Sequence, residues 1–160
     1  MARIQLPPGE LDEPYRLFQL APNISGAAGA YSEAIYTKNT LPLRLRELLR
    51  MRIAQINHCE VCLAARVSSL EAADLSEEVL ANVGNWQTYP GFTEAERAAL
   101  DYTTRFATDH LTIDQAFMDR LRDLYGDETV FEITLCVAGW LALGRVTQVM
   151  DVTTACPLTV

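Results

Sequence analysis

The stretch from Pro42 to Asn57 constrains the fold more than any other part of the chain. Leu45, Leu48, Leu49, Ile53 and Ile56 recur at spacings of three, four and seven, the pattern of a helix with one face against a core. Leu43, Glu47, Met51 and Ala54 line up on the other side, so the helix is expected to be buried on two sides. Pro42 stands near its first turn, where a missing amide donor costs nothing. A helix covered on both flanks needs other elements around it. It also places Glu47 in apolar company, and it leaves Arg52, set among Leu45, Leu48, Leu49 and Ile56, in need of a buried partner.

The remaining sequence supplies those elements as further helices. Small residues mark a helix over Ser25–Thr37, and others are expected over Cys59–Asp74 and, capped by Ser76, over Ser76–Val83. Thr93 and Glu96 form a capping box for a helix to His110. Two more follow over Ile113–Tyr125 and Asp127–Val152, while the Pro-rich segment before Asn23 reads as irregular. No window alternates as a strand. The expected fold is all-α, a bundle of about seven helices. With 160 residues, 49% of them apolar, and no repeat or linker-like shift in composition, the chain is expected to form a single domain over 1–160.

Charge and hydropathy narrow the partners. A net charge of −8 repels phosphate backbones, and Arg44, Arg46, Arg50 and Arg52 lie around the second helix instead of along one face, so nucleic acid is not expected as a partner. The longest apolar run, Val130–Val149, is broken by Glu132, Arg145 and Gln148 and reads as a buried core helix, not a membrane span. Residues Met1–Gly9 carry one positive charge, Arg3, and no apolar segment of the secretory type. A soluble, cytoplasmic protein is expected. In that compartment four cysteines should rest as thiols.

Cys59 and Cys62, three apart at the start of a helix, present both sulfurs on one face and can close a disulfide with little backbone movement. The positive end of the helix dipole favours thiolate there. Zinc is the rival use of such a pair, but His58, His110, Cys136 and Cys156 supply no second pair at ligand spacing, and no metal is expected. Covalent haem attachment would need His where Leu63 stands. Cys136, between Leu135 and Val137, reads as inert core packing, and Cys156 as a tail thiol.

Glu47 lies twelve residues before Cys59, and the string Glu47-Leu48-Leu49-Arg50-Met51-Arg52-Ile53-Ala54-Gln55-Ile56-Asn57-His58-Cys59-Glu60-Val61-Cys62 resembles the alkylhydroperoxidase D-like branch of the carboxymuconolactone decarboxylase family. That branch's thiol signature, Glu-x11-Cys-x2-Cys-x3-His, is met at Glu47, Cys59 and Cys62. The resemblance implies an all-helical homo-oligomer, a trimer or hexamer, that reduces hydroperoxides or recycles the disulfide of a peroxiredoxin partner without metal or organic cofactor. It implies that Cys62 is the exposed attacking thiol, Cys59 the deeper resolving one, and Glu47 a proton relay.

The sequence departs from the signature at its last position, where Arg66 replaces His, and between the cysteines, where Val61 stands. Arginine can stabilise a thiolate but does not shuttle a proton near neutral pH. Arg66 is otherwise expected to pair with Glu47 or Glu60, and His58, just before the pair, is a substitute base. The expected function is a thiol-dependent peroxidase or disulfide reductase in antioxidant defence. A lactone-processing decarboxylase of the same fold, which would not need a dithiol, and a non-catalytic oligomeric protein are the alternatives.

Overall fold

The computed structural model describes residues 2–152; Cys156 lies outside them. Seven α-helices follow one another: α1 (Glu13–Phe18), α2 (Pro22–Thr37), α3 (Leu43–Ile56), α4 (Glu60–Ala64), α5 (Glu77–Ala81), α6 (Glu94–Thr108) and α7 (Gln115–Val149). Two 3-10 turns, Asn82–Asn85 and His110–Thr112, join α5 to α6 and α6 to α7. Among the described residues there is no strand, as the periodicities require.

The two-sided burial read from Pro42–Asn57 is the organising fact of the bundle. Nine of the fourteen residues of α3, from Leu45 to Ala54 with only Arg52 less than buried, are enclosed, and α6 and α7 pack on this helix and on each other. Leu48, Leu49, Leu100, Ile133 and Val137 meet in the centre, each with no more than a trace of exposure. α2 lies along α7, where Gly139 permits a close approach: a β-carbon there would stand 2.6 Å from Cδ1 of Ile35.

Helix ends follow their local chemistry. Oγ of Ser76 accepts the amide of Val79, and the Thr93–Glu96 capping box is complete, with the Thr93 amide donating to Glu96 Oε2 at 2.8 Å. Asp114 caps α7 by accepting from the amide of Phe117. The two helices expected over Ile113–Tyr125 and Asp127–Val152 run on from one another with a break at Gly126, whose φ of 77° interrupts helical geometry between Tyr125 and Asp127. By length and composition α7 could cross a membrane, yet here it is the helix against which α2, α3 and α6 pack. Two charges in its apolar half are engaged: Glu132 accepts from Thr40, and Arg145 donates to Asn57.

Two expectations need correction. The segment before Asn23 is not wholly irregular, because Pro14 sits in the first turn of α1, a short helix that buries Leu17. The helix expected over Cys59–Asp74 stops at Ala64. Ala65 turns to an extended ψ of 136°, and the carbonyls that a longer helix would use are taken by arginines, Ala65 O by Arg50 and Leu63 O by Arg66. The following segment folds back to bury Val67, Ala73 and Leu75 in the core.

Candidate functional site

The site forms where α3 ends and α4 begins. His58 takes a left-handed φ of 51°, and the Cys59 amide reaches back to the Ala54 carbonyl at 3.0 Å, which terminates α3 and reverses the chain. A non-glycine residue in this conformation costs about 1 kcal/mol. His58→Gly should therefore raise the unfolding free energy by about that amount in urea denaturation. A parallel fall in turnover would mark the imidazole as a working base; unchanged turnover would make His58 only a turn residue.

Cys59 is the N-cap of α4, and its Sγ accepts the Cys62 amide at 3.2 Å. The two cysteines are joined as a disulfide, with Cα atoms 5.2 Å apart. Their surroundings differ: Cys59 is buried, 2% exposed, whereas Cys62 is partly open. Cys62 also borders two cavities. One, of about 350 Å³, is lined by His58, Cys59, Glu60, Val61 and Cys62, and by Thr147, Gln148 and Asp151 near the end of α7. The other, of about 90 Å³, lies between α2, α3 and α7 and has Tyr36, Ile53, Trp140 and Leu143 among its walls, with Arg50 and Cys62.

Glu47 is buried at 3% exposure, held between two guanidinium groups. Arg50 meets its Oε2 at 2.8 Å, and Arg46 stands 3.4 Å from Oε1. Arg50 then extends to the dithiol helix, donating through Nη1 to the Cys62 carbonyl at 2.8 Å and through Nη2 to that of Ala65 at 3.1 Å. Glu47 is thus linked to the cysteines by way of Arg50. The sequence reading missed Arg50 as a site residue; the signal was its position one helical turn after Glu47.

Arg66 is engaged differently from either expected pairing. Its fork meets both carboxylate oxygens of Glu77, at 2.8 and 2.9 Å, and its remaining donor bonds to the carbonyls of Leu63 and Ala65. Glu77 is held below the usual carboxylate range by that guanidinium. The partner is Glu77, not Glu47 or Glu60, because the chain leaves the helix at Ala65. Arg52 is half-buried and donates to Thr104 and Gln55, both neutral, and burial lowers its pKa.

Cys136 contrasts with Cys62. It is buried on α7, and burial, with Glu132 adding to it, pushes its thiol up to about 11. Native-state alkylation slightly above neutral pH should leave Cys136 unmodified until the protein unfolds, as read by peptide mass spectrometry; prompt labelling would contradict its placement in the core. Among the described residues no group of three or more His, Cys, Asp or Glu side chains is arranged to hold a metal ion.

An all-helical bundle with a Cys-x-x-Cys disulfide at the head of a short helix and a buried glutamate on the preceding one defines a class of dithiol-bearing helical proteins. Residues 22–105, more than half of the chain, match the carboxymuconolactone decarboxylase family, and the chain belongs to that family. Among curated proteins it is 29% identical over 110 residues to the uncharacterised protein YnjA of Escherichia coli K12. That match covers 68% of this chain but only 59% of YnjA. Among solved structures, ATU0492 of Agrobacterium tumefaciens is a protein of unknown function whose suggested role is AhpD-type antioxidant defence. It superposes with a TM-score of 0.71 at 21% identity, over 94% of this chain and 96% of its own. The debrominase Bmp8, a cysteine-to-alanine variant bound to 2,3,4-tribromopyrrole, gives a TM-score of 0.71 at 23% identity, over 93% of this chain and 80% of its own. These likenesses establish the AhpD-like helical fold.

Proposed function

We propose that this protein is a dithiol oxidoreductase that reduces a hydroperoxide or a disulfide with Cys62 and Cys59. The observation that carries the reading is the asymmetry of the pair: Cys59 is 2% exposed and lines only the larger cavity, whereas Cys62 is partly open and lines both. In the reduced protein the Cys62 thiolate attacks the distal peroxide oxygen, forming an S–O bond as the O–O bond breaks, and the alkoxide leaves as alcohol after taking a proton. Cys59 then attacks the sulfenic sulfur, the S–S bond forms and water departs. Two electrons pass from the dithiol to the peroxide, or, in the disulfide-reductase mode, to a disulfide such as that of an oxidised peroxiredoxin partner, and an external thiol reductant restores the pair by exchange. No metal or organic cofactor is required for these steps.

Glu47 and His58 are the candidate proton carriers, Glu47 from within and His58 from the larger cavity. The test is consumption of hydrogen peroxide and of an alkyl hydroperoxide with dithiothreitol as reductant. Cys62→Ser should fall to the uncatalysed rate, and Cys59→Ser, given one equivalent of peroxide without dithiothreitol, should stop at a sulfenic acid that dimedone traps. Wild-type rates in both variants would sink the proposal.

A second reading uses the same electrons to remove halogen from a flat aromatic, with two thiols and an aryl bromide giving arene, hydrogen bromide and disulfide. The Bmp8 complex and the Tyr36 and Trp140 walls of the smaller cavity support it. Bromide release from a bromopyrrole, without peroxide consumption, would select it. Activity on a lactone that survives thiol alkylation would select the decarboxylase instead.

The chain is further proposed to work in the cytoplasm as a homo-oligomer, a trimer or hexamer, apart from membranes and nucleic acids. Phe131, Leu135, Val146 and Val149 form an exposed apolar stripe along α7, and the adjoining first half of α2 carries no charge, which favours a second copy as their cover. Light scattering should return a multiple of the chain mass; a single monomer peak would remove this part.

A further inference from the structure

We propose that Arg50, not Arg66, is the cation that lowers the pKa of Cys62 in the reduced protein, acting as a positioning residue that ties Glu47 to the dithiol helix. The assignment rests on the reading of Cys62 as the attacking thiol. The family's signature places an ionisable group four residues after the second cysteine, and here that place is filled by Arg66, whose fork is closed on Glu77. Arg50 is enclosed at 3% exposure, and its donors are divided between Glu47 on its own helix and the carbonyls of Cys62 and Ala65.

Charge balance decides what such a group does. Arg46, Glu47 and Arg50 are all buried and in contact, two cations about one carboxylate, so the cluster carries a net positive charge inside the bundle. In a low-dielectric interior that excess favours a nearby anion. Other groups around Cys62 do not supply this. The larger cavity brings Glu60 from α4 and Asp151 from beyond α7, two carboxylates that oppose a thiolate, together with His58 from the turn before α4. The smaller cavity brings Tyr36 from α2 and apolar walls from α3 and α7. Apolar walls disfavour the charged thiolate. The favourable charge therefore comes from α3, through Arg50, which shares the wall of the smaller cavity with Cys62.

The bonds to Cys62 and Ala65 have a second consequence. α4 has only five residues, and once the disulfide is reduced no cross-link ties Cys62 to Cys59 across its first turn. Arg50 keeps the Cys62 backbone in register while the sulfurs are apart, so the two thiols stay poised for closure.

The experiment is the pH profile of Cys62 alkylation by iodoacetamide in the fully reduced, full-length protein, read at the level of the Cys62 peptide by mass spectrometry. In the unaltered protein the midpoint should lie below the ordinary thiol value of about 8.5. Arg50→Gln removes the charge but keeps a donor for Glu47, and should move the midpoint up by about one pH unit or more. Arg50→Lys, which restores the charge, should recover at least half of that shift, and Arg66→Gln should leave the profile in place. An unaltered protein with an ordinary or raised midpoint overturns the proposal without recourse to any variant. So does an unmoved profile in Arg50→Gln, equal profiles for the Gln and Lys variants, or an Arg66→Gln shift as large as that of Arg50→Gln. Turnover is measured separately: loss of the dithiol reading with an intact Arg50 shift leaves this assignment standing, and normal turnover with an unmoved profile removes only this assignment.

Discussion

Glu47→Ala should lower the unfolding free energy by about 3–5 kcal/mol, because it leaves Arg50 and Arg46 enclosed without their shared carboxylate. The loss is expected to exceed that of an ordinary surface ion pair, for which about 1 kcal/mol is an upper figure. Glu47 and Arg50 are each only 3% exposed, so neither charge can turn to water without opening the bundle. Urea denaturation of the oxidised protein measures the effect. The double variant Glu47→Ala with Arg50→Met should be less destabilised than the sum of the two single ones, since it removes both members of the pair. A single-variant loss below about 1 kcal/mol would mean that water reaches the pair and that the cluster is not a buried one.

Trp140 should give a pair of opposite results. Trp140→Ala is expected to cost about 3–5 kcal/mol, since the indole is 5% exposed, lies beside Tyr36 with ring centres 6.2 Å apart, and walls the smaller cavity. Trp140→Phe should cost no more than about 1 kcal/mol, because the indole Nε1 is buried with no hydrogen-bond partner among the described residues and its removal relieves an unsatisfied donor. Thermal denaturation separates the two. A Phe variant as damaged as the Ala variant would show that the indole nitrogen has a partner in solution.

Much of the frame was legible in the sequence. The apolar positions of Pro42–Asn57 repeat on two faces, and the structure buries that helix on both; the caps at Ser76 and Thr93 and the break before Asp127 stand where local chemistry places them. The spacing of Glu47, Cys59 and Cys62 carried the resemblance to the family, and the family match over residues 22–105 bears that resemblance out. The length of the dithiol helix was not legible. Val61 to Asp74 has no strong breaker, and the helix ends because guanidiniums from α3 and from Arg66 take the carbonyls at its end. The partner of Arg66 was misjudged for the same reason, since continuing the helix would have pointed it elsewhere.

The sequence by itself determined the helical class, the central two-faced helix and the dithiol three residues apart, each a consequence of local period or covalent spacing. Only the tertiary structure decided that Cys62 lines two cavities, that Glu47 reaches the pair through Arg50, and that Arg66 belongs to Glu77. Those are relations between segments that close packing brings together, and the identity of a long, flexible arginine leaves its partner open until the surrounding carbonyls and carboxylates are in place.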